Sequence, residues 1–241
     1  MRFQGIKAWA VGLLAIVAGG VAYAAVPQRN RMQPPDEVDA MLADLAAAAE
    51  SQPAQSPLRQ AVEAGESEAA REMLEFRPYN EAPLPEGFPT YTPVGVIQVK
   101  QYPAYRKADG PAFWPLFQHI KSEGIPMTVP VEMTQMSRGN RPMSFLYQNT
   151  SVGDAGADED IPGVTVNDAE PAIAVSLGIR GRMNPQTAAD AKERLEAWLA
   201  DQTEYRAAGE EAVRYFGYSS PMVPDRDKYW ETQILIERVG E

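Results

Sequence analysis

The sequence predicts an α+β domain in which antiparallel strands and two main helices follow one another in a repeated order. Several segments from Tyr91 onward alternate apolar and polar residues with period two, which is typical of half-buried strands. Two other segments place apolar residues on one helical face. The predicted order is two strands, a helix and two strands, and then the same again, which indicates a pseudo-duplicated unit with helices packed on an antiparallel sheet.

The first half begins with two predicted strands and a helix. Val94–Lys100 is apolar and β-branched, and Tyr102-Pro103 separates it from a second strand over Ala104–Ala108. The next segment, Pro111–Glu123, predicts a helix that ends at Gly124. Its core face carries apolar residues at i, i+3, i+4 and i+7, namely Phe113, Leu116, Phe117 and Ile120.

The remaining elements follow the same logic. Met127–Met133 and Met143–Tyr147 alternate as strands, with Pro130 indicating an edge or a bulge. Ile173–Ile179 is the clearest predicted strand. Asn184-Pro185 then predicts the start of the second helix, whose core face is Ala191, Leu195, Trp198 and Leu199. Two last strands are predicted near Glu211–Tyr218 and Glu231–Arg238.

Composition excludes several classes of function. The net charge is −11, from 22 basic and 33 acidic residues, so we expect no nucleic-acid partner. There is no cysteine, which excludes disulfides, iron–sulfur clusters and cysteine nucleophiles. His119 is the one histidine, so mechanisms or zinc sites that need two are excluded as well. We find no catalytic motif and predict that the protein is not an enzyme.

The N-terminus predicts export. Arg2 and Lys7 precede an apolar run over residues 8–26, and Ala22-Tyr23-Ala24 matches the small-x-small pattern of a signal-peptidase site. Residues 1–24 are therefore predicted to be a signal peptide. The alternative is an uncleaved N-terminal anchor that tethers the protein to a membrane through residues 8–26. Both interpretations place the rest of the chain in the periplasm or outside the cell.

Residues 25–87 predict an acidic linker rich in proline and alanine. Pro27–Pro93 holds 10 of the 21 prolines, and Asp36–Glu86 has 12 acidic residues against three arginines. Two stretches, Asp36–Glu50 and Leu58–Phe76, have helical character but thin apolar faces. We expect a solvated spacer with transient helix, and a partner-docking helix is the alternative.

Four phrases of the sequence resemble the SOUL, or haem-binding protein, family. They occur in the family's order and cover most of Val94–Ile236. The phrases are VKQYPAYRKA (99–108), FWPLFQHI (113–120), IPMTVPVEMT (125–134) and YFGYSSPMVP (215–224). The resemblance implies that residues 88–241 form a distorted, pseudo-two-fold antiparallel β-barrel flanked by two helices, similar to bacterial effector-binding domains.

The resemblance also implies binding of haem or another tetrapyrrole in an apolar groove beside the first helix. Some members carry a candidate axial histidine just before the tyrosine of the first motif, whereas this chain has Gln101 there, before Tyr102. The residues expected to line the groove are Phe113, Leu116, Phe117, Ile120 and Met127.

Three kinds of side chain are candidates for contacts with the iron or the propionates of the ring. His119 flanks the apolar face of the first helix, where an imidazole can ligate iron, although a surface histidine would fit the same pattern. Arg106 and Lys107, at the end of the first hairpin, are candidates to pair with propionates. Met127, Met133, Met136 and Met143 offer thioether ligands or simply fill the core.

The sequence leaves three functions open. The first is an exported, non-catalytic protein that binds a tetrapyrrole, with haem as the expected cofactor. The second is a cofactor-free scaffold or interaction protein, and the third is a pocket for another hydrophobic small molecule.

Asp154, Asp158 and Asp160 have calcium-like spacing, but the loop lacks the glycine and terminal glutamate of a calcium loop, so we predict a soluble acidic turn.

Overall fold

The computed structural model describes residues 30–134, 142–209 and 212–240. The predicted signal peptide or anchor lies outside these residues, as does Met136. The six α-helices of this part are α1 (Val38–Ala43), α2 (Leu45–Ser51), α3 (Pro57–Glu63), α4 (Ser67–Glu75), α5 (Phe113–Ser122) and α6 (Pro185–Ala200). Its strands are β1 (Ile97–Tyr102), β2 (Tyr105–Gly110), β3 (Val131–Met133), β4 (Met143–Leu146), β5 (Gly156–Ala157), β6 (Thr165–Ala169), β7 (Ala172–Arg180), β8 (Tyr205–Ala207), β9 (Val213–Gly217) and β10 (Tyr229–Arg238).

All these strands join one antiparallel sheet. Its order is β1-β7-β10-β9-β3-β4-β2-β6-β5, and β8 pairs with β10. The α+β class is therefore confirmed. The closed barrel is not found in the described residues, because β1 and β5 lie at opposite edges and do not pair.

Apart from the short strands β5 and β8, the pairing pattern maps onto itself when β1, β2, β3 and β4 are exchanged with β6, β7, β9 and β10. In one half β2 pairs with β4 and β6, and in the other β7 pairs with β10 and β1. The central pair, β3 with β9, maps onto itself. The repeated order expected from the sequence thus has a counterpart in the sheet topology.

The sheet curls strongly although it stays open. Arg214 on β9 donates to the hydroxyl of Tyr105 on β2 over 3.1 Å, yet three strand intervals separate β9 from β2. Such strands would lie roughly 14 Å apart in a flat sheet. The contact is possible because the sheet bends toward this face, which we call the concave face.

The two main helices cover the opposite, convex face. α6 starts with the side chain of Asn184 accepting from the backbone N–H groups of Gln186 and Thr187. It buries Leu195 and Trp198 against β7 and β10. α5 packs on β2 and β4 in a separate cluster around Phe145. Both predicted helices are confirmed.

The segment predicted as a solvated spacer packs on the sheet instead. The described residues from Arg31 onward belong to one compact unit. Leu58 in α3 and Leu74 in α4 are fully buried and form a cluster with Val96. Each short helix has few apolar residues, but together they bury a continuous surface, since alanines allow the helices to approach closely.

Two features fix this segment and the chain that follows it to the domain. The Ser56 hydroxyl donates to the carbonyl oxygen of Gly95 over 2.7 Å in a buried position. Further along, the backbone of Thr92 and Pro93 crosses β7 at Gly178, where a Cβ atom would lie 2.3 Å from the Thr92 carbonyl oxygen. Only glycine permits that approach.

Residues 30–134, 142–209 and 212–240 contain no helix that is both long and apolar enough to cross a bilayer.

Candidate functional site

The helix α5 presents aromatic side chains at its first turns. Pro115 is its third residue, where the backbone nitrogen has no intrahelical acceptor, so a regular helix forms from Phe113. Gly124, at φ 66°, follows the end of the helix. The helix therefore fixes where the predicted groove residues lie.

The predicted groove residues fall into two groups. Leu116 and Ile120 are buried in the cluster between α5 and the sheet, so they support the helix and are not open to a ligand. Phe113 and Phe117 are half-buried, and Met127 packs with them against the same cluster.

Trp114 completes an exposed aromatic surface and is 62% exposed. Its ring centroid lies 5.5 Å from that of Phe113 and 6.0 Å from that of Phe117, and the two phenylalanine rings stack at 5.7 Å. We call Phe113, Trp114 and Phe117 the aromatic patch. An exposed tryptophan backed by two phenylalanines offers a flat ring a large apolar contact.

Arg106 and Lys107 do not form a pair of free cations. They are neighbours on β2, so their side chains point to opposite faces of the sheet. Arg106 binds Asp168 through two nitrogens, at 2.7 and 2.9 Å, and this contact lowers the pKa of Asp168 below its usual range. Lys107 lies on the concave face, 3.3 Å from Glu132 and 3.6 Å from Asp109.

His119 is buried and both of its ring nitrogens are engaged. Its exposed fraction is 5%. Nδ1 lies 2.5 Å from Oδ2 of Asp158, and Nε2 lies 2.6 Å from the hydroxyl oxygen of Tyr147. The polar loop before β6 covers the flank of α5, which periodicity alone could not show. Neither nitrogen is free to ligate iron in this arrangement.

Asp158 is held in the position that His119 requires. Its other carboxylate oxygen accepts from the backbone N–H groups of Asp160 and Ile161 at 2.9 and 2.8 Å. Burial raises the pKa of Asp158, whereas the hydrogen bonds from His119 and the two amides lower it. The lowering is the larger effect in sum, so the pKa of Asp158 is below its ordinary value. The loop with calcium-like spacing thus places Asp158 against His119. In the part of the chain that the structure describes, no cluster of three metal-ligating acids or histidines occurs.

A buried charge cluster on the concave face was not predicted from the sequence. Glu231 is fully buried and accepts from the Lys100 ammonium, from the Thr92 backbone N–H at 2.7 Å and from the Gln233 amide at 2.7 Å. Burial alone would raise the pKa of Glu231, but Lys100 and these donors lower it below its ordinary value. The glutamate is therefore an ionised group inside the fold.

Hydrogen bonds continue from Glu231 across the curled sheet. Gln233 accepts from Nε of Arg214 at 2.9 Å, Arg214 donates to Tyr105, and the Tyr105 hydroxyl donates to Glu132 at 2.9 Å. The Arg214 guanidinium also lies 4.4 Å from the ring of Phe216. The concave face thus carries a continuous polar network beside an apolar cluster that includes Tyr102, Ala174 and Phe216.

An apolar groove lies away from α5. It has a volume of about 340 Å³ and runs between α3, α4 and the end of β7. Its lining includes Met73, Val94 and Ile179, with Glu72 and Arg180 as charged residues. None of the sequence-predicted site residues lines it.

The family comparison agrees with the phrases around this site. The profile of the family described as SOUL heme-binding protein matches residues 89–231, which is more than half of the chain. The chain belongs to the SOUL family. The family resemblance predicted from the sequence is confirmed, and the family binds haem. No curated protein matches this SOUL protein.

Three solved structures match the chain at low TM-score and low sequence identity. The crystal structure of the EcmrR C-terminal domain matches at TM-score 0.45 and 16% identity, over 59% of this chain and 98% of that domain. The cryo-EM structure of EcmrR in its DNA complex matches at TM-score 0.46 and 15% identity, over 59% of this chain and 57% of that chain. The crystal structure of a hydrolase from Listeria innocua matches at TM-score 0.43 and 11% identity, over 61% of this chain and 94% of that chain.

Proposed function

We propose that this SOUL protein is an exported, non-catalytic tetrapyrrole-binding protein that holds the ring against the aromatic patch. The observation that carries the proposal is the exposure of Trp114 next to the half-buried Phe113 and Phe117. A tetrapyrrole is flat and apolar over both faces, so burial of aromatic surface supplies the main attraction. Membership of the SOUL family selects this class of ligand.

The residues present fit the ring better than they fit its iron. The patch gives apolar contact, and Met127 adds a polarisable side chain in the same cluster. His119 keeps both nitrogens in hydrogen bonds to protein groups, so we propose that it does not ligate the metal. Binding then depends on the faces of the macrocycle.

A haemin titration of the chain, followed by absorbance, tests this proposal with two matched variants. Trp114→Ala removes the exposed indole, while Met222→Ala removes another exposed apolar side chain elsewhere, 47% exposed. We expect saturable one-to-one binding in the unmodified chain and in Met222→Ala. In Trp114→Ala we expect affinity about tenfold weaker, which corresponds to about 1.4 kcal/mol.

Two results would overturn the proposal. Equal affinities in the unmodified chain and in Trp114→Ala would exclude the aromatic patch as the site. A flat or non-saturating titration of the unmodified chain would exclude haem binding and favour the scaffold function or another hydrophobic ligand.

Export rests on the N-terminal pattern of basic residues, an apolar run and Ala22-Tyr23-Ala24. Cell fractionation followed by N-terminal sequencing tests it. A mature chain starting at Ala25 in an envelope or extracellular fraction supports cleavage, and Met1 in a membrane fraction supports an anchor. Recovery of the chain from the cytoplasm alone would reject export.

A further inference from the structure

Two buried side chains, His119 and Tyr147, and the partly buried Asp158 form a continuous hydrogen-bonded row between α5, the end of β4 and the loop before β6. Asp158, His119 and Tyr147 are joined by contacts of 2.5 and 2.6 Å. Tyr147 is 1% exposed and follows the end of β4, and its ring lies 6.4 Å from the imidazole at an interplanar angle of 23°. None of the three is needed for the apolar contact proposed above.

The proton positions follow from the chemistry of the three groups. An ionised carboxylate only accepts hydrogen bonds, so Nδ1 of His119 carries the proton that faces Asp158. In the neutral imidazole Nε2 is then an acceptor, and the Tyr147 hydroxyl donates to it. The Tyr147 phenol therefore donates its proton to the His119 imidazole, which in turn donates to the negatively charged Asp158 carboxylate.

This order of groups suits oxidation of the tyrosine. When a phenol loses an electron it becomes a very strong acid, so the electron leaves readily only where a base can take the proton at the same time. A base acts in this way when it lies at hydrogen-bond distance, as Nε2 does. Asp158 stabilises the imidazolium that results.

Burial favours electron transfer over other chemistry at Tyr147. With 1% of the residue exposed, no substrate or metal reaches the hydroxyl. An electron needs no such access, because it can tunnel from the ring to an acceptor at the surface. Phe145, two residues earlier, contacts Phe113 with ring centroids 5.3 Å apart, so packed aromatic side chains lead from the neighbourhood of Tyr147 toward the aromatic patch.

Other buried tyrosines have less suitable partners. The Tyr105 hydroxyl donates to Glu132, and that of Tyr229 lies 2.5 Å from the Thr92 carbonyl oxygen and 3.0 Å from Glu231. Those carboxylates are already paired with Lys107 and Lys100. A carboxylate held by a lysine is a weaker proton acceptor than a neutral imidazole.

We propose that Tyr147 is a redox-active tyrosine whose oxidation is coupled to proton transfer to His119. A high-potential one-electron acceptor at the protein surface takes one electron from the phenol and is itself reduced. In the same step the O–H bond of Tyr147 breaks, the proton binds Nε2 of His119, and a neutral tyrosyl radical remains. The proposal does not rest on tetrapyrrole binding.

Flash photolysis of the full chain with a ruthenium tris-bipyridine photosensitiser and a sacrificial electron acceptor tests it. The photogenerated Ru(III) complex is the one-electron oxidant, and transient absorption and electron paramagnetic resonance detect the phenoxyl radical. We expect a radical in the unmodified chain that is lost in Tyr147→Phe and retained in Tyr105→Phe. In His119→Gln, which removes the only imidazole, we expect formation slower by about a hundredfold, the typical contribution of a positioned base.

Asp158→Asn gives a second test if His119→Gln folds poorly. It keeps an acceptor for Nδ1 but removes the charge, so radical formation should slow without disappearing. Equal radical yield in the unmodified chain and Tyr147→Phe would overturn the proposal. Equal rates in the unmodified chain, His119→Gln and Asp158→Asn would also overturn it, since the proton would then go elsewhere.

Discussion

Lys100 and Glu231 form an ion pair inside the curled sheet, with Nζ at 3.1 Å from each carboxylate oxygen. The side chain of Lys100 is 2% exposed and that of Glu231 is not exposed. The two residues lie on β1 and β10, which are separated in the sheet by β7. The pair thus ties three strands together on the concave face.

Removing one partner of this pair should be costly. Lys100→Met leaves the Glu231 charge buried without compensation, and we expect the free energy of unfolding to fall by about 3–5 kcal/mol. The double variant Lys100→Met with Glu231→Gln should recover part of that loss. Urea denaturation measures both changes. The matched control is Lys192→Met, whose exposed partner is Glu196, and it should change stability by less than about 1 kcal/mol.

The same pair predicts how stability depends on pH. Because the folded pKa of Glu231 is below its ordinary value of 4.5, its contribution is present above that value and is lost as the pH falls below it. The lowered pKa of Asp158 acts in the same direction. Unfolding free energy measured between about pH 6 and 3 should therefore decrease toward acid. In the Lys100→Met, Glu231→Gln double variant the decrease should be smaller, and an unchanged slope would contradict this role.

His119 should not influence the spectrum of bound haem. Both of its nitrogens are engaged with Asp158 and Tyr147, so we expect the Soret band of the haemin complex to keep its position in His119→Gln. Absorbance spectra at saturating haemin check this. Trp114→Ala at the same haemin concentration is the control. In this variant we expect less haemin to be bound, while the Soret band of the bound fraction keeps its position. A displaced Soret band in His119→Gln would show that the imidazole binds iron after rearrangement.

The N-terminal helices should contribute to the stability of the domain. Leu74→Ala removes a fully buried side chain of α4, and we expect a loss of about 2–5 kcal/mol. Arg71→Ala, on the same helix but with its side chain 48% exposed, should cost less than about 0.5 kcal/mol. Thermal and urea unfolding measure both. Equal stability of the two variants would mean that the segment behaves as a spacer after all.

Much of the domain could be predicted from the sequence because its local patterns agree with its fold. The alternation in β7 places Val175 and Leu177 under α6, and the spacing of α5 places Leu116 and Ile120 on the sheet. These patterns depend on which side of one element is buried, and a single segment of sequence contains that information.

The features that were missed depend on several segments at once. The helices of residues 38–75 have thin apolar faces, and they are stable because Leu58, Leu74 and Val96 share one cluster. His119 was expected at the edge of a helix, but a distant loop supplies Asp158 and buries it. Arg106 and Lys107 were considered together because they are neighbours in sequence, whereas a strand separates them onto two faces. Glu231 and Lys100 are 131 residues apart, and no local pattern links them.

The central claim is that the aromatic patch holds a tetrapyrrole through the faces of its ring. The most direct test compares the affinities of haemin and iron-free protoporphyrin IX for the chain and for Trp114→Ala, by absorbance and fluorescence titration. We expect the two ligands to bind the unmodified chain with dissociation constants within about threefold, a difference below about 1 kcal/mol, and to weaken together in Trp114→Ala. Binding of haemin alone, with no effect of Trp114→Ala, would contradict the account.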